Sequence, residues 1–344
     1  MTVRPMNISA GAMSRRTMLR GLTSAASVVM PALALGGCES MASVNGASVD
    51  ASSIAASRSL LVATTRKPVK GAQGSPWFGT ERWAMTLARA QLTPPDDGRF
   101  SLASVGLSDW RLNRVDVLGQ SAGVLGQGTS GRDVLIYVHG FNQTFETAAL
   151  DAARLSDSIQ FHGETLAFSW PSRAKLFDYG YDRDSAMWSR DALHTALDAL
   201  LASPTTGRIH IVAHSIGTML TMEALRQLYA ERGALAADRI GALVFAAPDI
   251  DMDVFTSSVE HIGPLARKIT VITATNDRAL ALSGWMAGGM TRVGAAETAK
   301  LKLFGLHVID ASEEGWGVVN HDLFLSNDQI RQVVRQVIRD SAGT

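Results

Sequence analysis

A serine stands at position 215 in the run Ile209-His210-Ile211-Val212-Ala213-His214-Ser215-Ile216-Gly217, where an apolar strand pattern meets a helical one that opens Thr218-Met219-Leu220. A serine on such a strand–turn–helix junction has an exposed hydroxyl and can attack an acyl carbon. The turn is tight, so the residues two before and two after the serine must be small. Ala213 and Gly217 meet that need, with alanine where glycine is the commoner choice. The same placement aims the backbone N–H of Ile216, at the helix N-terminus, at an oxyanion formed on the attacked carbonyl. The competing reading is a serine that caps a helix after a buried strand.

A second buried run, Val134-Leu135-Ile136-Tyr137-Val138, ends in His139-Gly140-Phe141-Asn142. Glycine lets this loop bend back, which makes the N–H of Phe141 the second candidate oxyanion donor. A serine hydroxyl needs a histidine base, itself oriented by a carboxylate, and with this kind of junction the chain order is serine, acid, histidine. That order makes His139 a structural loop residue. Downstream of Ser215 stand His261, His307 and His321. His307 opens a strand pattern and would pack against the sheet, whereas His321 follows a loop after the last strand and precedes the C-terminal helix, so His321 is the expected base. Asp277 lies at the carboxyl tip of Ile269-Thr270-Val271-Ile272-Thr273-Ala274 and is the expected acid. Asp249, in Ala246-Ala247-Pro248-Asp249 at the tip of the preceding strand, competes with it. Either aspartate could instead be a solvated loop residue or a helix cap.

Positioning these groups requires a scaffold of alternating elements. Strand patterns fall at Leu60–Ala63, Val134–Val138, Leu166–Trp170, Ile209–Ala213, Ala242–Ala246, Ile269–Ala274 and His307–Ile309, several of them apolar throughout, as in strands buried on both faces. Helical patterns lie between them near 145–160, 182–202, 216–231 and 327–340. Ala84–Leu92 and Arg111–Val117 read as strands near the leading edge of the sheet. The alternation predicts an α/β fold, a mostly parallel sheet with helices on both faces, in one domain over residues 59–344. The roughly twenty residues between Ala246 and Ile269 leave room for only a minimal cap. Around the cleft, His139, Trp170 and His214 are candidate pocket residues. Trp170-Pro171-Ser172 and the segment Asp182-Arg183-Asp184 with Arg190 could line it too, or form a rim and an ion-paired first helical turn. Leu282–Met290, apolar and glycine-rich, reads as a flap or an ordinary loop.

Together, His139-Gly140-Phe141-Asn142, Phe168-Ser169-Trp170-Pro171-Ser172, Tyr181-Asp182-Arg183-Asp184-Ser185, Ala213-His214-Ser215-Ile216-Gly217, Ala246-Ala247-Pro248-Asp249 and Asn276-Asp277-Arg278-Ala279-Leu280 resemble a bacterial family of esterase-like proteins known as an α/β-hydrolase domain of unknown function. The likeness runs from about Leu60, through Val62-Ala63-Thr64-Thr65-Arg66, to His321. It implies the α/β-hydrolase fold with Ser215, Asp277 and His321 as a triad, and it names no substrate.

The first forty residues read as an address. Ser14-Arg15-Arg16-Thr17-Met18-Leu19-Arg20 precedes an uncharged, Ala- and Ser-rich stretch from Gly21 to Gly37, the layout of a signal peptide over residues 1–37, and the paired arginines resemble a twin-arginine export signal. Leu35-Gly36-Gly37-Cys38 resembles a lipobox, which makes Cys38 an acylated anchor and residues 38–58 a flexible tether. The expected partners are the twin-arginine export machinery, a membrane reached through Cys38 and a small ester or acyl substrate. The expected place is the cell envelope, facing the periplasm or the exterior. Cys38 is the single cysteine of the 344 residues, which excludes an internal disulfide framework. Lys plus Arg and Asp plus Glu number 32 each; without the leader's four arginines the balance is 28 against 32, a net −4 that gives no reason to expect nucleic acid or anionic headgroups as partners. No cofactor is called for, and no clustered carboxylate set suggests a metal. Two function classes remain: a serine hydrolase, most simply a carboxylic-ester hydrolase, and a non-catalytic envelope lipoprotein that uses the same scaffold for binding.

Overall fold

Central strands that are apolar on both faces require cover on both sides, and the protein supplies it with two layers of helix. The computed structural model describes residues 58–95, 110–127, 129–277, 280, 283–284, 291–296, 301–302, 304–313 and 323–342. The leader, Cys38 and the tether before Arg58 lie outside the described residues. The described strands are β1 (Arg58–Pro68), β2 (Phe78–Thr93), β3 (Arg111–Gly119), β4 (Val134–Val138), β5 (Glu164–Ser169), β6 (Ile209–His214), β7 (Ile240–Ala246), β8 (Ile269–Thr273) and β9 (His307–Asp310). They form one sheet in the order β3-β2-β1-β5-β4-β6-β7-β8-β9. The β1–β2 and β2–β3 pairs are antiparallel, and every other pair is parallel.

The helices are α1 (Phe145–Ser158), α2 (Tyr179–Trp188), α3 (Arg190–Ala202), α4 (Ile216–Arg232), α5 (Ala234–Arg239), α6 (Met252–Glu260), α7 (Leu323–Ser326) and α8 (Asp328–Ala342). Side chains alternate along each strand, so β4 sends Val134, Ile136 and Val138 to one face and Leu135 and Tyr137 to the other. The first face packs on α2, α3, α4 and α6 through residues such as Ala186, Leu197, Leu220 and Phe255. The second packs on α1, α7 and α8 through Phe145, Ala152, Phe324, Ile330, Val334 and Ile338. The 330-334-338 spacing is the buried stripe of an amphipathic helix. Among the described residues no helix is long and apolar enough to cross a membrane.

The helical pattern expected over 182–202 is two helices. The chain breaks at Ser189, whose hydroxyl donates to the carbonyl of Ser185 (2.7 Å) and pairs with Thr65 Oγ1 on β1 (2.9 Å). A buried serine that returns its hydrogen bond to the preceding turn competes with helix continuation. Between Ala246 and Ile269 the chain holds α6 and one 3₁₀ segment (Gly263–Lys268), in keeping with a minimal insertion there.

Candidate functional site

In an all-parallel region, the loops that follow the strands gather at one edge of the sheet. The loops after β4, β6, β7 and β8 bring His139 to Asn142, Ser215, Asp249 and Asp277 to this carboxyl edge. Ser215 joins β6 to α4 with φ 52° and ψ −124°, a conformation that disfavours any side chain. Its backbone is over-determined by neighbours. The N–H donates to Ala246 O (3.0 Å), and the carbonyl accepts from Thr218 N (3.0 Å), Thr218 Oγ1 (2.6 Å) and Asp249 N (3.2 Å). A Cβ on Gly217 would lie 2.4 Å from the carbonyl oxygen of His139, and one on Gly140 would lie 2.8 Å from His214 Nδ1 and 2.9 Å from Ser215 Cβ. The two loops therefore touch only because both positions are glycine. Ile216 opens α4, so its N–H has no partner within the helix.

The Phe141 loop is fixed from several sides. It ends at Thr144, which caps α1 by accepting from Thr147 N (3.1 Å) while Thr147 Oγ1 accepts from Thr144 N (2.8 Å). Arg66, 1% exposed, runs beneath it and donates to Gln143 O (2.7 Å), Ser172 O (2.9 Å) and Ser169 Oγ (2.9 Å). Burial lowers the pKa of that guanidinium to about 10. Asp182 accepts from Ser172 Oγ and from the N–H of Arg173 (2.8 Å). Burial raises its pKa, while those hydrogen bonds and one from the Asn142 N–H oppose the shift. Asp182 is thus a buried brace of two loops and not part of a solvated first turn.

His139 and Trp170 do not line a pocket. Both are wholly buried, their rings stack at 4.6 Å, and Trp170 Nε1 donates to the carbonyl of His139 (2.8 Å). The ring nitrogens of His139 face Gly140 O (2.8 Å) and Trp170 O (3.0 Å). Burial, and next the charge of Arg66, lower its pKa to about 3. As a neutral imidazole it donates to only one of these two carbonyls, and its place is in the structure of the loop. His214, also buried, packs its ring 4.9 Å from that of Phe324 on α7.

The two aspartates have different surroundings. Asp249 forms a buried cluster in which Tyr179 Oη donates to Oδ2 (2.8 Å), Ser283 Oγ to Oδ1 (2.5 Å), and Arg292 Nε stands 3.1 Å from Oδ1. Arg292 is itself 2% exposed, and its Nη2 has no hydrogen-bond partner among the described residues. Tyr179, its pKa raised to about 12 by burial and by Asp249, stacks edge-on against Phe141 at 5.7 Å. Asp277 is equally buried, four residues past the end of β8, and one oxygen accepts from Leu280 N–H (3.1 Å). His261 ends α6 and His307 opens β9, so both lie toward the amino ends of the strands, away from Ser215. His321 lies outside the described residues, as does most of Leu282–Met290. The described residues contain no group of three or more His, Cys, Asp or Glu side chains placed to hold a metal ion.

A family model described as "alpha/beta hydrolase of unknown function (DUF900)" matches residues 125–340. The chain belongs to this family. It is an α/β hydrolase by fold and family, as the resemblance and the strand pattern both implied. An uncharacterised protein of Nostoc sp. strain PCC 7120 is 27% identical over a match that covers 28% of this chain and 32% of that protein, so the chain spans about a third of its curated relative. Among solved structures, Est1E from Butyrivibrio proteoclasticus is 12% identical with a TM-score of 0.41, over 75% of this chain and 96% of that one. A hyperthermophilic esterase from the archaeon Pyrobaculum calidifontis is 13% identical with a TM-score of 0.37, over 83% and 85%.

Arg66 and Arg292, the buried partner of Asp249, are the site's contributors that the sequence reading did not single out. A buried arginine leaves no periodic trace, since its burial depends on carbonyls contributed by distant loops.

Proposed function

We propose that the protein is a serine hydrolase acting on carboxylic esters, with Ser215 as nucleophile, His321 as general base and acid, and Asp277 orienting His321. The N–H groups of Phe141 and Ile216 hold the oxyanion, and water clears the acyl-enzyme. The observation that carries this reading is the backbone of Ser215. A strained serine over-determined by β7 and by two glycines has no structural use as a cap, and its side chain accepts no cap hydrogen bond. Two further observations support the partners. Asp249 is committed to a buried cluster with Tyr179, Ser283 and Arg292, which counts against it as the acid. Phe324, three residues after His321 in the chain, packs on His214, the neighbour of Ser215. The exported, Cys38-anchored state stands beside this as part of the same proposal.

A fluorophosphonate probe tests it. Wild-type protein should label, and Ser215→Ala and His321→Ala should each reduce the labelling rate more than about 10³-fold. A well-folded wild type that resists the probe would instead favour the scaffold-for-binding alternative.

A further inference from the structure

The opposite edge of the sheet has features that hydrolysis does not use. Two cavities open there, on either side of the C-terminal end of α8, with volumes of about 510 and 350 Å³. The larger is walled by the first residues of β7, β8 and β9 and includes Arg208, Arg267 and Lys268. The smaller lies before β4 and β5 and includes Arg132, Arg335 and Arg339. Against these six cations the two linings contain two carboxylates, Asp340 and Asp133. Asp133 is turned inward, since its Oδ1 accepts from Arg208 N–H (2.7 Å) and its Oδ2 lies 3.4 Å from His210 Nε2.

Cations at this edge have a plain structural use, the capping of helix C-termini. Lys268 does this by donating to Ala237 O (2.6 Å) and Ile240 O (2.5 Å), and Arg239 donates to Ser203 O (3.3 Å). Glu164 is shared by Arg132 (3.5 Å) and Arg89 (3.8 Å), and Arg335 donates to Gln160 Oε1. The side chains of Arg208, Arg267 and Arg339 have neither an ion pair nor a hydrogen bond among the described residues. Their charges also oppose one another: burial and then Arg208 lower the pKa of Lys268, with only Asp238 opposing. Six cations gathered around concave openings against two carboxylates create a local positive field that a whole-chain net charge conceals.

We propose that this amino edge is a docking surface for an anionic phospholipid bilayer, with lipid phosphates seated in the two arginine-rimmed cavities. Chain direction favours a bilayer as the occupant. β1 runs parallel to β5, so Arg58 enters the domain at this same edge, twenty residues after Cys38. An extended tether of that length spans at most roughly 70 Å. An acylated Cys38 would therefore put a membrane within reach of this basic edge. Apolar wall residues Val308, Ile309 and Val337 suit the glycerol and first methylenes of a headgroup.

Co-sedimentation with vesicles tests the proposal, using the full chain carrying Cys38→Ser and with Arg4, Arg15, Arg16 and Arg20 of the leader each replaced by Gln. Phosphatidylcholine vesicles are compared with ones containing about 30% phosphatidylglycerol, at low and at high salt. With its four arginines removed, the leader contributes alike to both vesicle types, so the ratio between them reads the basic edge. Association should be about ten-fold stronger on anionic vesicles at low salt and should collapse at high salt. The exposed pair Arg267→Glu/Arg339→Glu should abolish the preference, while Lys70→Glu, beyond the carboxyl end of β1, should leave it intact. Equal association with both vesicle types, or a preference that survives the double reversal, would overturn the proposal. So would a wild type that inorganic phosphate stabilises against heat but that ignores anionic vesicles, because the cavities would then serve a small soluble anion. Fluorophosphonate labelling should not respond to any of these variants, so this proposal and the hydrolase reading fail independently.

Discussion

The two edges of one sheet treat polar groups in opposite ways. At the carboxyl edge, Arg66, Asp182, Asp249, Arg292 and Asp277 are buried, and what holds them is protein: backbone carbonyls, hydroxyls and each other. At the amino edge the arginines around the two cavities are half-buried or exposed, and Arg208, Arg267 and Arg339 have no side-chain partner among the described residues. Groups committed to internal partners preorganise a reaction, because they need not reorganise when charge develops. Groups without partners are suited to something that arrives from outside.

The sharpest way to break this comparison is to exchange the roles of the two buried aspartates. Asp277→Asn should lower the acylation rate by about 10³- to 10⁴-fold, with a urea midpoint close to that of wild type. Asp249→Asn should do the reverse. It leaves the Arg292 guanidinium buried without its counter-charge, which costs about 3–5 kcal/mol of stability, while molecules that remain folded still label. If Asp249→Asn silences the folded enzyme and Asp277→Asn does not, the acid sits on the earlier strand. A smaller effect concerns His139. Its native pKa is about 3, whereas an unfolded imidazole titrates near 6.5, so only the unfolded chain takes up this proton as the pH falls below 6.5. Its contribution should reduce stability by about 1.4 kcal/mol per pH unit from 6.5 down toward 3 and by nothing above 6.5. His139→Gln should flatten that part of a plot of urea midpoint against pH. The smallest expected effect is at the other edge: Arg267→Glu/Arg339→Glu should change the rate of fluorophosphonate labelling by less than about two-fold, since both side chains lie at the far ends of the strands.

What could be read in advance follows from the same division. Strands β4, β6, β7 and β8 are covered on both faces, so their apolar runs stand out with no tertiary information. The junction Ala213-His214-Ser215-Ile216-Gly217 was legible because contact between loops restricts residue type at specific positions, and the family model agrees with the fold it implied. β2 was harder. It runs from Phe78 to Thr93, well past the expected Ala84–Leu92, because its first half is mostly exposed and mixes Glu81 and Arg82 with Trp83. The break at Ser189 depends on Thr65, more than a hundred residues away, and no helical periodicity encodes that contact. The pocket roles expected of His139 and Trp170 failed for a similar reason. Their types and places in the chain suited a cleft, but which way each ring turned was decided by carbonyls on the opposite loop.

The dihedral angles of Ser215 have a consequence for how the protein could change. A residue at φ 52° and ψ −124° strains the backbone by about 1–3 kcal/mol unless it is glycine. Replacement by glycine would therefore relax the turn, and drift toward greater thermal resistance would run through the loss of the hydroxyl. A lineage released from the need for the reaction should settle into a sturdier, silent version of the same fold, and its elbow would be the first place to look for the change.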